Sequence, residues 1–158
     1  GILNAVNHIG RPERNRLLAQ FAEKFADDPL VMDKYFALIA SCRRADTPQQ
    51  IQAALQHPAF NLQNPNKARA LLGSFSRNVP YFHAADGSGY AFLAGQIGCI
   101  DRFNPQIAAR LAQAFNICAQ LEPQRRSLMR AELQKLAANP ALSKDSSEII
   151  GKILQASA

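Results

Sequence analysis

Apolar residues return at helical spacing along almost the whole chain. Leu17, Leu18, Phe21 and Phe25 form one stripe, Val31, Tyr35, Leu38 and Cys42 a second, and Ile51, Ala54 and Leu55 a short third. Leu71, Leu72 and Phe75 follow, then Phe92, Leu93, Ile97 and Ile100. The clearest stripe is Ile107, Leu111, Ala114, Phe115 and Cys118. It precedes Met129, Leu133 and Leu136 and a last set of Ile149, Ile150, Ile153 and Leu154. No segment alternates in the manner of a half-buried strand. All nine prolines fall where one helix stops or the next begins. Asp28-Pro29 and Asn104-Pro105 each set a capping side chain before a proline at the first helical position, and Thr47-Pro48-Gln49-Gln50 reads as a capping box. The spacing predicts about eight helices, most of roughly 10 to 18 residues, and hence an all-α fold. Helix pairs recurring roughly every 35 to 45 residues have the size of α-solenoid units, so a superhelical α-solenoid of antiparallel helices is expected, with a closed helical bundle as the alternative.

Composition narrows the class. The 158 residues, 47% apolar and 19% charged, suffice for one sizeable core, and a single domain over residues 1–158 is expected. Apolar runs fall far short of the roughly 20 residues that cross a bilayer. No basic region, apolar core and cleavage site open the chain, and its first residue, Gly1, reads as a cut from a longer parent. Cys42, Cys99 and Cys118 are an odd number, far apart and on apolar stripes, and read as buried, reduced thiols of a cytoplasmic protein. The net charge of +6 is concentrated: from His57 to Arg130 there are eight Lys or Arg against Asp86, Asp101 and Glu122, about +5 of the total. Such a segment attracts nucleic acid or carboxylates, although a merely solvated surface is the more economical reading.

Recognisable catalytic patterns are missing. His8, His57 and His83 are widely separated and form no H-E-x-x-H pair, and there is no C-x-x-C, G-x-S-x-G or G-x-x-x-x-G-K-[ST]. Cysteine-histidine chemistry with His83 is disfavoured because the cysteines lie on apolar stripes, where a thiolate is unstable. The segment "FHAADGSGY" (82–90) gathers reactive residue types, yet it lacks a lysine and follows no strand, which argues against a phosphate loop. It reads as a joint: Asp86 or Ser88 capping the next helix, Gly87 and Gly89 supplying φ > 0 or close packing, His83 bonded to local backbone. Polar residues at stripe edges are more telling. At about 100° per residue, Gln106, Arg110 and Gln113 align along one side of the Ile107 stripe, and Arg69 flanks Ala68, Leu71 and Leu72. Arginines there either snorkel to water or present guanidinium donors to peptide carboxylates and carbonyls.

The stretches "DDPLVMDKYFAL" (27–38), "HPAFNLQNPNKARALLGSF" (57–75), "FHAADGSGYAFLA" (82–94), "DRFNPQIAARL" (101–111) and "LSKDSSEIIGKIL" (142–154) resemble the C-terminal helical domain of bacterial aminopeptidase N, the zinc-dependent alanyl aminopeptidase family. The resemblance runs in order from about residue 11 to the end. It implies a domain of a larger aminopeptidase whose catalytic domain, with the H-E-x-x-H zinc motif and the G-A-M-E-N exopeptidase motif, is absent from this sequence. No catalytic residue, metal ligand or cofactor is then expected in the fragment, and zinc belongs to the parent's catalytic domain. By the same resemblance the partners are that catalytic domain in the same chain and peptide substrates, with no nucleic acid and no membrane. The resemblance further implies that the domain caps the active-site cavity and controls peptide access, and that Arg69, Gln106 and Arg110 match the family positions that reach the substrate channel. No role carries over to Arg77 or Tyr81. The alternative is a stand-alone helical-repeat module that binds peptides or a protein. Nucleic-acid binding lacks both interleaved aromatics and a recognition-helix cluster of Lys and Arg.

Overall fold

The structure, a computed structural model, describes Ala5 and residues 10–158; His8 lies outside the described residues. Among these residues all regular structure is helical. The chain forms two compact units, one ending at Phe75 and the other Ser76–Ala158.

The first unit contains α1 (Arg11–Lys24), α2 (Pro29–Ser41), α3 (Thr47–Leu55) and α4 (Pro65–Ala68). α4 runs on into a π-helical segment, Arg69–Gly73, and then α5 (Ser74–Ser76), whose last residue already belongs to the second unit. Asp28 and Asn64 cap α2 and α4 with their side chains, each ahead of a proline in the first turn. Packing centres on α2, which meets α3, α4 and the π segment. Met32, Phe36 and Ile39 of α2 close against Ile51, Ala68, Leu71 and Leu72 with almost no exposed surface. Lys67 is buried as well: its Nζ lies 2.5 Å from Asp33 Oδ1 and donates to Pro29 O at 2.8 Å, fastening α4 to the start of α2.

Three local expectations shift. The buried residues of α2 are Met32, Phe36, Leu38, Ile39 and Ala40, so Leu38 and the following Cys42 of the expected stripe are buried while its Val31 and Tyr35 are only half-buried. Its sequence is apolar nearly all round, so periodicity alone does not select one side. Thr47 does not close a capping box: its hydroxyl donates to Cys42 O at 2.8 Å and accepts from Arg44 N at 3.1 Å, and Asp46 supplies the first helical carbonyl to Gln50 N. Cys99 is exposed on its helix, unlike the buried Cys42 and Cys118.

The second unit contains α6 (Val79–Phe82), α7 (Ser88–Asp101), α8 (Pro105–Ala112), a 3-10 segment (Gln113–Gln120), α9 (Pro123–Ala137) and α10 (Lys144–Ala156). α7 packs on α8 and α9, α10 packs on α8 and α9, and the 3-10 segment lies against α9 and α10. Phe82, Tyr90, Leu93, Ile97, Phe115, Met129, Leu133 and Ile150 are buried in this core. Asp101, last residue of α7, is buried and accepts from Ser143 N at 2.7 Å, Ser143 Oγ at 2.6 Å and Ser146 Oγ at 2.6 Å. Ser143 itself caps α10 through Ser146 N, so one carboxylate seats the first turn of the last helix on the end of α7. No helix of the described residues is long and apolar enough to cross a membrane.

Candidate functional site

The segment 82–90 was the one place where the sequence crowded reactive side chains together, and its geometry is that of a joint. Gly87 has φ 76°, the left-handed conformation that disfavours any residue with a Cβ, and it starts α7. Asp86 Oδ1 accepts from Ser88 N at 2.9 Å across the turn. Gly89 lies directly against the carbonyl oxygens of Tyr81 and Phe82, with no room for a side chain. His83 departs from expectation, because its Nδ1 pairs with the Tyr90 hydroxyl at 2.6 Å and not with the local backbone. Its own carbonyl accepts from Arg125 Nε at 2.8 Å. Burial first, and the Arg125 guanidinium second, hold the His83 pKa below the ordinary imidazole value, while burial raises Tyr90. A neutral imidazole held by a buried phenol fixes the turn. Gly87→Ala is expected to cost about 1 to 2 kcal/mol in urea unfolding, since alanine is strained at this φ and its Cβ meets Leu128 at 3.2 Å.

Metal chemistry finds no cluster here. Among the described residues no three His, Cys, Asp or Glu come together as a ligand set. His57 packs between rings, 5.7 Å from Phe36 and 5.9 Å from Tyr35, and its Nδ1 accepts from Ala59 N.

The basic middle segment thins out once its bonds are traced. Lys67 is spent on Asp33 and Pro29. Arg125 binds Glu122 as well as His83 O, and Arg126 donates twice to Leu121 O. Arg130 Nη1 holds Leu154 O and Ser157 Oγ at the end of α10. At least four of the eight cations thus serve as internal fasteners, a use that charge counting along a sequence does not reveal.

What remains exposed includes the residues singled out by sequence. Asn104 caps α8 through Ile107 N at 3.2 Å, and Pro105 begins it. Ala108, Leu111 and Ala112 then face the core, followed by Phe115 and Cys118 of the 3-10 segment. That burial turns Gln106, Arg110 and Gln113 together toward solvent. Arg110 makes no hydrogen bond or ion pair with another described residue, leaving five donors free for a ligand. Arg69 is exposed too, but partly held: its Nε donates to Pro65 O at 3.2 Å and its Nη2 to Asn66 Oδ1 at 2.6 Å. It belongs to the first unit, whereas Gln106, Arg110 and Gln113 belong to the second.

Arg69 opens the π-helical segment, and Gln113 opens the 3-10 segment. Departures of this kind within helices are frequent at functional positions, because they re-aim side chains at a cost in backbone hydrogen bonding. A wheel drawn at constant pitch cannot show either one.

Residues 1–155 match a family described as "Domain of unknown function (DUF3458_C) ARM repeats", a description that agrees with the helical solenoid expected from the sequence. The chain is 43% identical over 143 residues to an aminopeptidase N of Haemophilus influenzae and 38% identical over 144 residues to one of Escherichia coli K12. Each alignment covers 90% of this chain but only 16% and 17% of the two relatives, so the chain spans about a sixth of their length. The crystal structure of Legionella pneumophila aminopeptidase A in complex with aspartic acid is similar with a TM-score of 0.89 at 30% identity, covering 97% of this chain and 18% of that one.

Proposed function

We propose, from the premise that this chain belongs to the DUF3458_C ARM-repeat family, that it is the noncatalytic C-terminal helical domain of a cytoplasmic zinc metallo-aminopeptidase. In this reading the remaining five-sixths of the parent holds the zinc and removes N-terminal residues from peptides, while this domain caps the active-site cavity and controls which peptides enter. The observation that carries the reading is the exposed Arg110, without a hydrogen bond or ion pair to another described residue, beside Gln106 on a helix whose opposite face is locked into the core. It is supported by 38% to 43% identity to aminopeptidases over 90% of the chain.

The chemistry follows from the donors. A guanidinium offers paired N–H groups that match a carboxylate, and the Gln106 amide donates and accepts as a peptide group does. Together they would hold the carbonyls or the terminal carboxylate of a short peptide whose amino end lies at the zinc, fixing the scissile bond by anchoring the far end. Arg69, exposed on the first unit, is by the family resemblance a further candidate for contact with the peptide substrate.

Replacing Arg110 with Ala in the full-length aminopeptidase is expected to raise KM for tripeptides about tenfold with kcat nearly unchanged, the loss of one charge-assisted contact made equally in the ground and transition states. Steady-state kinetics on di- and tripeptides measures this, and identical constants for both would remove Arg110 from the channel. The purified 158-residue chain alone should not cleave an alanyl chromogenic substrate. Chelator-sensitive cleavage by it would overturn the noncatalytic assignment.

A further inference from the structure

We infer that the change of pitch at Gln113 extends the polar face of α8 into a four-residue row, Gln106, Arg110, Gln113 and Asn116, that binds the main chain of an extended peptide. This rests on the reading just proposed and adds to it the conformation of the ligand and two further residues, Gln113 and Asn116.

The geometry comes from the helix types. At about 100° per residue, Gln106, Arg110 and Gln113 stay within about 60° of one another around the axis of α8. Continued as an α-helix, residue 116 would be turned about 60° from Gln113. In a 3-10 helix, with about 120° per residue, it is eclipsed with Gln113 instead. Gln113–Gln120 is 3-10 throughout, longer than the three or four residues usual for this helix, and Asn116 is exposed, as Gln106, Arg110 and Gln113 are. Phe115 and Cys118, buried beneath it, fix the rotation of the segment.

Length and charge match an extended peptide. Rises of about 1.5 Å and 2.0 Å per residue make the row about 16 Å long, the reach of about five residues of extended chain. Three primary amides both donate and accept, as successive peptide groups do on the exposed edge of a strand. From Arg102 to Leu121 the sequence contains Arg102 and Arg110 and no Asp or Glu, so this stretch carries only positive formal charge, of the sign that attracts the carboxylate ending a peptide.

The test uses the full-length aminopeptidase and oligoalanines of two to six residues. Gln113→Ala and Asn116→Ala are expected to raise KM about threefold to tenfold for the longer peptides, leave the dipeptide within twofold, and hold kcat. Gln113→Glu keeps the shape but removes the donors and adds a like charge, so it should raise KM more than Gln113→Ala. Melting temperatures within 2 °C of wild type, roughly the effect of half a kcal/mol, confirm that these surface changes leave the fold intact. If Arg110→Ala raises KM while Gln113→Ala and Asn116→Ala change nothing at any length, the row ends at Arg110: the inference fails and the channel reading stands. If Arg110→Ala is silent as well, both fall.

Discussion

Alanine at position 89 is expected to lower the melting temperature by about 10 °C, whereas alanine six residues along the same helix should raise it slightly. A Cβ on Gly89 would collide with the carbonyl oxygens of Tyr81 and Phe82, which are backbone and cannot rotate away. α6 and α7 would have to separate, carrying Phe82 and Tyr90, both buried, out of their packing. Overpacking of a tight site costs about 3 kcal/mol, and a domain of this size loses about 2–4 °C per kcal/mol. Gly95 is the matched control. Nothing lies within 4 Å of a Cβ built there, so Gly95→Ala gains about 0.5–1 kcal/mol of helix propensity. Thermal melts of the two variants measure the contrast, and equal shifts would contradict the close approach of α6 and α7.

The second large effect is at Asp101. Removing its carboxylate with Ala leaves the buried Ser146 hydroxyl and the Ser143 amide without their acceptor, at an expected cost of about 3 kcal/mol. The loss should carry a pH signature. Burial pushes the Asp101 carboxyl upward, but hydrogen bonds from Ser143 and Ser146 outweigh it and hold the pKa below the ordinary aspartate value. A carboxylate with a depressed folded-state pKa stabilises above its unfolded value, near 3.8, and that contribution disappears as the pH falls through the lower, folded value. Wild type should therefore lose stability in this acid window more steeply than Asp101→Asn, which cannot titrate there. Urea midpoints at neutral pH and across pH 2 to 4 test it; parallel curves for the two proteins would show that the carboxylate plays no such part.

Much of the fold was legible because helix punctuation is local. Asp28, Asn64 and Asn104 stand before prolines and cap the helices they precede, with side-chain oxygens on the first-turn amides. The polar edge at Gln106, Arg110 and Gln113 was legible for a related reason: Ala108, Leu111 and Ala112 define its opposite face clearly. In α2 the same method found Leu38 and Cys42, which are buried, but missed Met32, Phe36 and Ile39, since "PLVMDKYFALIAS" offers apolar side chains on nearly every side and only tertiary contacts decide. Cys99 was misplaced because an apolar run cannot say which of its members face outward. Lys67 and Asp101 were counted as surface charges, yet their partners lie 34 and at least 42 positions away, beyond the reach of any local pattern. The resemblance of "DRFNP" and "LSKDSS" to one family marked both ends of the Asp101 contact without saying that they touch.

That contact also joins two helix ends of opposite polarity. A negative side chain at the C-terminus of α7 adds to the negative end of that helix's macrodipole, and by itself weakens the helix. The N-terminus of α10, where its charge is received, is the positive end of another dipole. α7 therefore carries an end charge that is unfavourable until α10 docks, and α10 gains its anchor only from α7. Each helix is less stable alone than beside the other, which makes the pair cooperative: neither end is expected to fray without releasing its partner.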